Sequence, residues 1–265
     1  KGGWGVVYRC GLGGQVYAVK VPVGYEALVE AGRDIDTSSD DTSSESSYKR
    51  MMRRIREEAE VIKRLEHRNI VRLIDYSTTV PLLVYEFAQE GSVAYQLSSG
   101  WEPGLRDVLV LAAHVGEGLR YIHSRGLVHG DVKPGNILLS GGVAKVSDFS
   151  SLTRVIQTIS KSSRGSTPGW RAPEQVYSDI MKRSIKGGYE NRIDVYQLGN
   201  VILYILTGET IDGYYRVNEE LARRRVGRIR DSRLRGLVWE MMELEPSRRP
   251  SMDEVTKRLA DMIGV

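Results

Sequence analysis

One cysteine, Cys10, serves all 265 residues, so no internal disulfide can form and a reducing interior is expected. It falls in a strand-like stretch, where a lone thiol is read as packing and not as chemistry. The four histidines are scattered without metal-ligand spacing, and His129 reads as a bracing residue, not a base. No apolar run reaches spanning length, so no membrane crossing is expected of this segment. A charge excess of +4, carried mainly by arginine, gives no reason to expect nucleic acid. An initial methionine is also missing, and no signal peptide can be judged from such a start. What is present, 41% hydrophobic and 27% charged residues, is ordinary for a soluble globular chain with a sizeable core.

Residues 1 to about 90 show strand-like alternation interrupted by one helix, 48–66. Beyond that, helical periodicity predicts helices at 105–124, 194–206, 231–243 and 252–262. A short strand pair is expected at 137–139 and 144–146, with Gly141-Gly142 as its turn. Two segments break the pattern. Residues 34–47 are almost wholly Ser, Thr, Asp and Glu, and read first as a solvated linker, second as an autophosphorylation site. Residues 216–235 carry Arg223-Arg224-Arg225, Arg228, Arg230, Arg233 and Arg235; they read first as a solvated basic face interrupted by Glu219, Glu220 and Asp231, second as a dock for an acidic substrate or RNA.

The most informative stretch is His129-Gly130-Asp131-Val132-Lys133-Pro134-Gly135-Asn136, followed twelve residues after the Asn by Asp148-Phe149-Ser150. Phosphoryl transfer from a nucleotide needs such a set: a carboxylate to orient the attacking hydroxyl, an ammonium beside the transferring phosphate, and an amide plus a second carboxylate for Mg²⁺. The ordered set resembles the catalytic loop and metal-binding motif of the eukaryotic-type protein kinases.

That resemblance runs nearly end to end. Gly2-Gly3-Trp4-Gly5-Val6-Val7 is similar to the tail of the glycine-rich phosphate loop, and Ala18-Val19-Lys20 to the strand carrying the nucleotide lysine. Glu58 best matches the helix glutamate that holds Lys20; Glu57 and Glu60 face elsewhere at helical spacing. Leu82 to Ala88 resembles the hinge, with Glu86, Phe87 and Ala88 beside the adenine edge and Tyr85 guarding the back of its pocket. Val7 and Ala18 from above and Leu138 from below would sandwich adenine. Ala172-Pro173-Glu174 resembles the end of the activation segment and Arg249 the partner of that Glu, the alternative being a surface ion pair of little worth. Asp194 resembles the Asp bracing the catalytic loop, with helix capping as a compatible alternative.

The resemblance implies an α+β bilobal fold, a β-rich N-lobe at 1–87 and a mostly helical C-lobe with the hinge at 88–265, truncated at its N-terminus, with ATP between the lobes. It implies a serine/threonine kinase acting on protein substrates and on itself. Lys133 and Thr167 carry that choice of hydroxyl, because both match the serine/threonine-directed pattern. Lys20, Glu58, Asp131, Lys133 and Thr167 are the expected catalytic set. Gly2, Gly3, Gly5, Val7, Ala18, Lys20, Tyr85, Glu86, Phe87, Ala88 and Leu138 are the expected ATP site. Asn136 and Asp148 are the expected ligands of Mg²⁺, or of Mn²⁺ in its place. A cytoplasmic location is expected, with tethering left to regions outside this segment.

Three positions depart from the family pattern. Gly130 stands where an Arg usually precedes the catalytic Asp, which removes the main anchor for switching by activation-segment phosphorylation. Alternatives at Ser160, Ser162, Ser163 and Ser166, beside Lys161 and Arg164, remain. Ser150 replaces the Gly after Asp148-Phe149, which should make a flip of Phe149 less accessible. Gly135 replaces a residue that is acidic in many relatives and weakens any expectation of basic substrates.

Overall fold

The computed structural model describes residues 5–25, 47–77, 79–154 and 167–264. Gly2, Gly3 and Trp4, residues 34–46 of the acidic insertion, and Ser160 through Ser166 lie outside the described residues. The chain divides into two units, Lys1–Glu66 with Val71–Ala88, and His67–Ile70 with Gln89–Val265.

The first unit is built on a four-stranded antiparallel sheet. Strands β1 (Gly5–Leu12) and β2 (Gln15–Pro22) form a hairpin closed by Leu12 opposite Gln15. Gly13 and Gly14 both take positive φ, 59° and 79°, as a two-residue turn matched to strand twist requires. Helix α1 (Ser47–Ile62) follows, then β3 (Leu73–Tyr76) and β4 (Leu83–Glu86), giving the order β1-β2-β4-β3. Ile55, Ala59 and Ile62, spaced i, i+4, i+7, are buried along one face of α1 while Arg56 and Glu57 are exposed. The helix stops at Ile62, four residues short of the expected end.

The second unit is mostly helical. After a short strand β5 (Gly91–Ser92) come α2 (Val93–Ser98) and α3 (Leu105–His123), the latter burying Val108, Leu111, Ala112, Val115, Leu119 and Ile122. Two glycines let α3 approach its neighbours closely. A Cβ at Gly118 would stand 2.6 Å from the Asn69 carbonyl, and one at Gly116 would stand 2.7 Å from the Thr256 methyl. Then follow β6 (Leu127–Val128), the hairpin β7 (Ile137–Ser140) and β8 (Val143–Val146), and β9 (Thr153–Arg154), which pairs with β6. Gly141 and Gly142, at φ 58° and 74°, make the expected turn. The remaining helices are α4 (Ser178–Gly187), α5 (Arg192–Thr207), α6 (Glu219–Val226), α7 (Ser232–Met241) and α8 (Met252–Ile263). Residues 193–203 of α5 are all buried, so it is the core helix of the unit. Among the described residues no helix is long and apolar enough to cross a membrane.

Two expectations are corrected here. Cys10 is exposed on β1, not packed, because most of that strand's residues face solvent on either side. The arginine-rich segment is only partly a solvated face. Arg216 is buried, gives its Nε–H to the Met242 carbonyl and stacks over Trp239 at 4.9 Å. Arg225 donates to the Thr210 carbonyl, and Arg228 pairs with Glu209 at 2.9 Å. These side chains tie loops to helices, which a count of charges does not distinguish from display in water. Helices α2, α4 and α6 were not anticipated; each is ten residues or shorter and too brief to establish a period.

Candidate active site

In the first unit the pairing register does the positioning. Val7 lies opposite Lys20 and Ala18 opposite Tyr85, so Val7, Ala18, Lys20 and Tyr85 share one face of the sheet. Lys20 is buried and its Nζ donates to Glu58 Oε1 at 3.0 Å. The Tyr85 hydroxyl donates to the same oxygen at 3.3 Å. Glu57 pairs with Arg53, and Glu60 accepts from Lys63 and Tyr76, so neither competes for Lys20. Gly5 has a steric reason: a Cβ there would stand 3.0 Å from the Val21 carbonyl and 3.2 Å from the Lys20 side chain. Val7 is 60% exposed. At the end of β4, Glu86 turns its carboxylate and its N–H to the Arg72 backbone, Phe87 lies under the Arg9 guanidinium, and Ala88 is buried.

In the second unit three of the expected residues converge on the carboxylate of a fourth, Asp131. Asp131 is buried; its Oδ1 accepts from the Thr167 hydroxyl at 2.8 Å and the Thr167 N–H at 3.2 Å. Its Oδ2 accepts from Lys133 Nζ at 2.5 Å and Asn136 Nδ2 at 3.1 Å. Lys133 also donates to Thr167 Oγ1 at 2.5 Å, so that hydroxyl bridges the carboxylate and the ammonium. Asn136 gives Nδ2 to the Asp131 carbonyl as well, at 2.9 Å. Asn136 and Asp148 flank the open end of the β7–β8 hairpin, held there by Ser147, whose N–H and hydroxyl both donate to the Asn136 carbonyl at 2.9 Å. Leu138 is half-buried on β7, opposite Lys145.

Asp148 is the one non-glycine with positive φ among the described residues, at φ 59° and ψ 79°. Such strain persists where surrounding structure over-determines it. Ser150 does not take positive φ, and its hydroxyl donates to Asp148 Oδ1 at 2.8 Å. The donor set fits a hard divalent cation. Asn136 Nδ2 makes both of its bonds to Asp131, so the amide oxygen is the atom it could offer a cation, and Asp148 could offer a carboxylate. Among the described residues no cluster of three His, Cys, Asp or Glu could form a closed metal cage. A nucleotide-borne Mg²⁺, which takes its other oxygens from phosphates and water, is the kind of ion two such ligands suit.

The loop is braced from α5. Asp194, fully buried in its first turn, accepts from the His129 and Gly130 N–H groups at 3.0 and 2.8 Å and pairs with His123 Nε2 at 2.7 Å. Burial opposes its ionisation, but the His123 hydrogen bond, the two histidines and the Gly130 N–H outweigh it and hold the carboxyl below its usual range. His129 is itself buried; its Nε2 bonds the Ser147 carbonyl at 3.0 Å and its ring meets Phe149 edge-on at 5.7 Å. That is a bracing role.

Several participants escaped the sequence reading. Gln197, one turn after Asp194, accepts the Val132 N–H at 2.8 Å and donates to the Gly130 carbonyl at 3.0 Å. Gln175 donates to that same carbonyl at 2.9 Å. Asn200, a further turn along, donates to the Gly169 carbonyl at 3.0 Å and accepts the Ile211 N–H. Asp212 receives Arg171 at 2.8 Å along with the Gly169 and Tyr214 N–H groups; burial raises its carboxyl, Arg171 and those donors lower it, and the net is downward. The signal was there for α5: Asp194, Gln197 and Asn200 recur every three residues in an otherwise apolar helix.

Glu174 and Arg249 form a bidentate pair at 2.7 and 2.8 Å with both side chains wholly enclosed. The alternative of a surface pair is therefore overturned. Every N–H of Arg249 is used, since the Arg192, Glu243 and Leu244 carbonyls take the remaining donors.

A family model described as a protein kinase domain matches residues 1–259. The chain is 30% identical to the receptor-like kinase TMK2 of Arabidopsis thaliana over 237 residues, covering 83% of this chain and 23% of that protein. It is 32% identical over 233 residues to the receptor protein-tyrosine kinase CEPR1 of the same plant, at 83% and 22% coverage. It is 28% identical over 214 residues to the serine/threonine-protein kinase BCK1/SLK1/SSP31 of Saccharomyces cerevisiae, at 79% and 13%. The chain thus spans less than a quarter of each of these relatives.

Proposed function

The chain belongs to the protein kinase domain family, and from that premise we propose that it transfers the γ-phosphoryl group of ATP to serine and threonine hydroxyls of proteins, itself included. The observation that carries the choice of hydroxyl is Thr167, whose Oγ1 joins Asp131 Oδ1 to Lys133 Nζ in one half-buried cluster. The names of its relatives point to both hydroxyl classes, so the reading rests on this cluster and not on them.

Bound Mg²⁺ would neutralise charge on the nucleotide phosphates, with Asn136 and Asp148 as its protein ligands. Lys20, oriented by Glu58, holds the α- and β-phosphates, and the Gly5 region lets the backbone come close to them. The hydroxyl of the protein substrate meets Asp131, which orients it and takes its proton as its oxygen bonds to the γ-phosphorus and the bond from that phosphorus to the β–γ bridging oxygen breaks, releasing ADP. Lys133 stabilises the negative charge on the transferring group. Thr167 keeps both from turning away, and Asp194, Gln197 and Gln175 fix the loop backbone beneath them.

The test is transfer of labelled phosphate from ATP with Mg²⁺ to the full-length protein and to a mixed protein substrate, beside Asp131→Asn. Label on serine or threonine, reduced at least about a hundredfold in the variant, is the expected result for loss of a positioned base. Label on tyrosine, or equal label in both proteins, overturns the reading.

A further inference from the structure

Two peptide planes meet at Asp131, and each is held at both ends. In the plane before it, the Asp131 N–H reaches His129 Nδ1 at 3.3 Å, and the Gly130 carbonyl accepts from Gln175 Nε2 and Gln197 Nε2 at 2.9 and 3.0 Å. In the plane after it, the Val132 N–H reaches Gln197 Oε1 at 2.8 Å, and the Asp131 carbonyl accepts from Asn136 Nδ2 at 2.9 Å. A peptide group is planar, so fixing both planes fixes φ and ψ of Asp131, and with them the direction of its side chain. His129 and Asn136 belong to the loop itself. The two glutamines come from elsewhere, and Gln197, wholly buried on α5, touches both planes. Gln175 closes the circuit: its Oε1 accepts the Ala172 N–H at 2.8 Å and Gln197 Nε2 at 3.0 Å. Turning either amide over would set nitrogen against N–H and oxygen against carbonyl, so each has one workable orientation.

We infer that Gln175 and Gln197 are positioning residues that make the alignment of Asp131 conditional on the seating of the Ala172–Gln175 turn. This rests on the reading of Asp131 as the group that takes the substrate proton. The turn, Pro173–Gln175, is anchored on its other side by the enclosed Glu174–Arg249 pair, so adjacent residues tie it to two different parts of the unit. A carbonyl has two lone pairs, and both of Gly130's are engaged here. Loss of the Gln175 donor leaves that carbonyl on one bond, about which the plane before Asp131 can tilt. Both side chains of the relay are neutral, so it closes without a phosphate.

The experiment compares full-length wild type, Gln175→Glu, Gln175→Leu and Asp131→Asn at about pH 8, where an added carboxyl is ionised. Label transfer from ATP with Mg²⁺ to a mixed protein substrate gives the rate at saturating ATP. Affinity for a non-hydrolysable ATP analogue and the urea unfolding curve are read beside it. Gln175→Glu keeps the acceptor for Ala172 and Gln197 and changes only the donor to Gly130, putting a repelling oxygen in its place. It is expected to lower the rate by about ten- to a hundredfold with analogue affinity unchanged. Gln175→Leu, which loses donor and acceptor together, is expected to lower the rate at least as far. If Gln175→Glu transfers as fast as wild type while Asp131→Asn does not, the reading of Asp131 stands and the inference falls. If Asp131→Asn transfers as fast as wild type, that reading falls and the inference with it. A rate loss in Gln175→Glu that only matches its loss of analogue affinity, or its unfolded fraction, marks a merely structural role and also overturns the inference.

Discussion

Replacing Arg249 by methionine would leave the Glu174 carboxylate in a wholly enclosed site with no counter-charge. Breaking a buried pair from one side costs about 3–5 kcal/mol, well above the ~0–1 kcal/mol of an exposed pair. Glu174→Gln removes a charge but keeps an acceptor of the same shape, and Arg249 retains three backbone carbonyls, so about 1–3 kcal/mol is expected. The double variant Glu174→Leu with Arg249→Met is the informative one. An isolated buried pair exchanged for apolar residues is often neutral or better. Here the Arg192, Glu243 and Leu244 carbonyls would each lose a donor at about 1 kcal/mol, so the double variant should stay about 2–3 kcal/mol below wild type. Urea unfolding followed by tryptophan fluorescence measures this, since Trp101, Trp170 and Trp239 all lie in the second unit. An Arg249→Met variant within about 1 kcal/mol of wild type, or a double variant equal to wild type, would refute the reasoning.

Asp194 gives a pH dependence of definite sign. Its folded pKa is lowered, so it contributes stability that is present above the ordinary value of 3.8 and is lost as pH falls through the lower folded value. Asp194→Asn should cost about 3 kcal/mol near neutrality, and that difference from wild type should shrink as pH is taken from about 5 to 2 in urea titrations. A gap that is constant with pH would mean the carboxylate's charge is not what braces the loop. Gly130 takes φ 78° with its nearest hypothetical Cβ contact 3.6 Å away, so Gly130→Ala should cost about 1 kcal/mol from the backbone alone. Thermal unfolding reads this as a shift of about 2–4 °C; no shift would show that the loop relaxes freely to accommodate a side chain.

The parts of the fold that were legible in the sequence are those whose signal is local. Period-two alternation put Ala18 and Lys20 on one sheet face, and two adjacent glycines marked the turn at 141–142. The cluster around Asp131 was legible because its members lie close in sequence, Thr167 apart. Gln175, Gln197 and Asn200 were not, because an amide's role depends on which carbonyl or N–H the fold brings to it. Arginine was misread for a related reason. Its guanidinium satisfies itself on backbone carbonyls and aromatic faces as readily as on water, so Arg216 can be interior while Arg223 nearby remains at the surface.

The spacing of Asp194, Gln197 and Asn200 makes α5 a ruler. Three residues advance a helix by about 4.5 Å and turn it by about 300°, so the three side chains climb one side of α5 in fixed steps. The first two grip the backbone of residues 129–132 and the third grips Gly169, so the distance between those two stretches of chain is set by helical pitch. A single residue inserted between Asp194 and Asn200 would swing whatever lies beyond it by about 100° and release one grip or the other. Conservative substitutions within α5 leave that ruler intact; insertions and deletions do not. The length of this stretch is therefore under tighter constraint than the identity of most of its apolar residues.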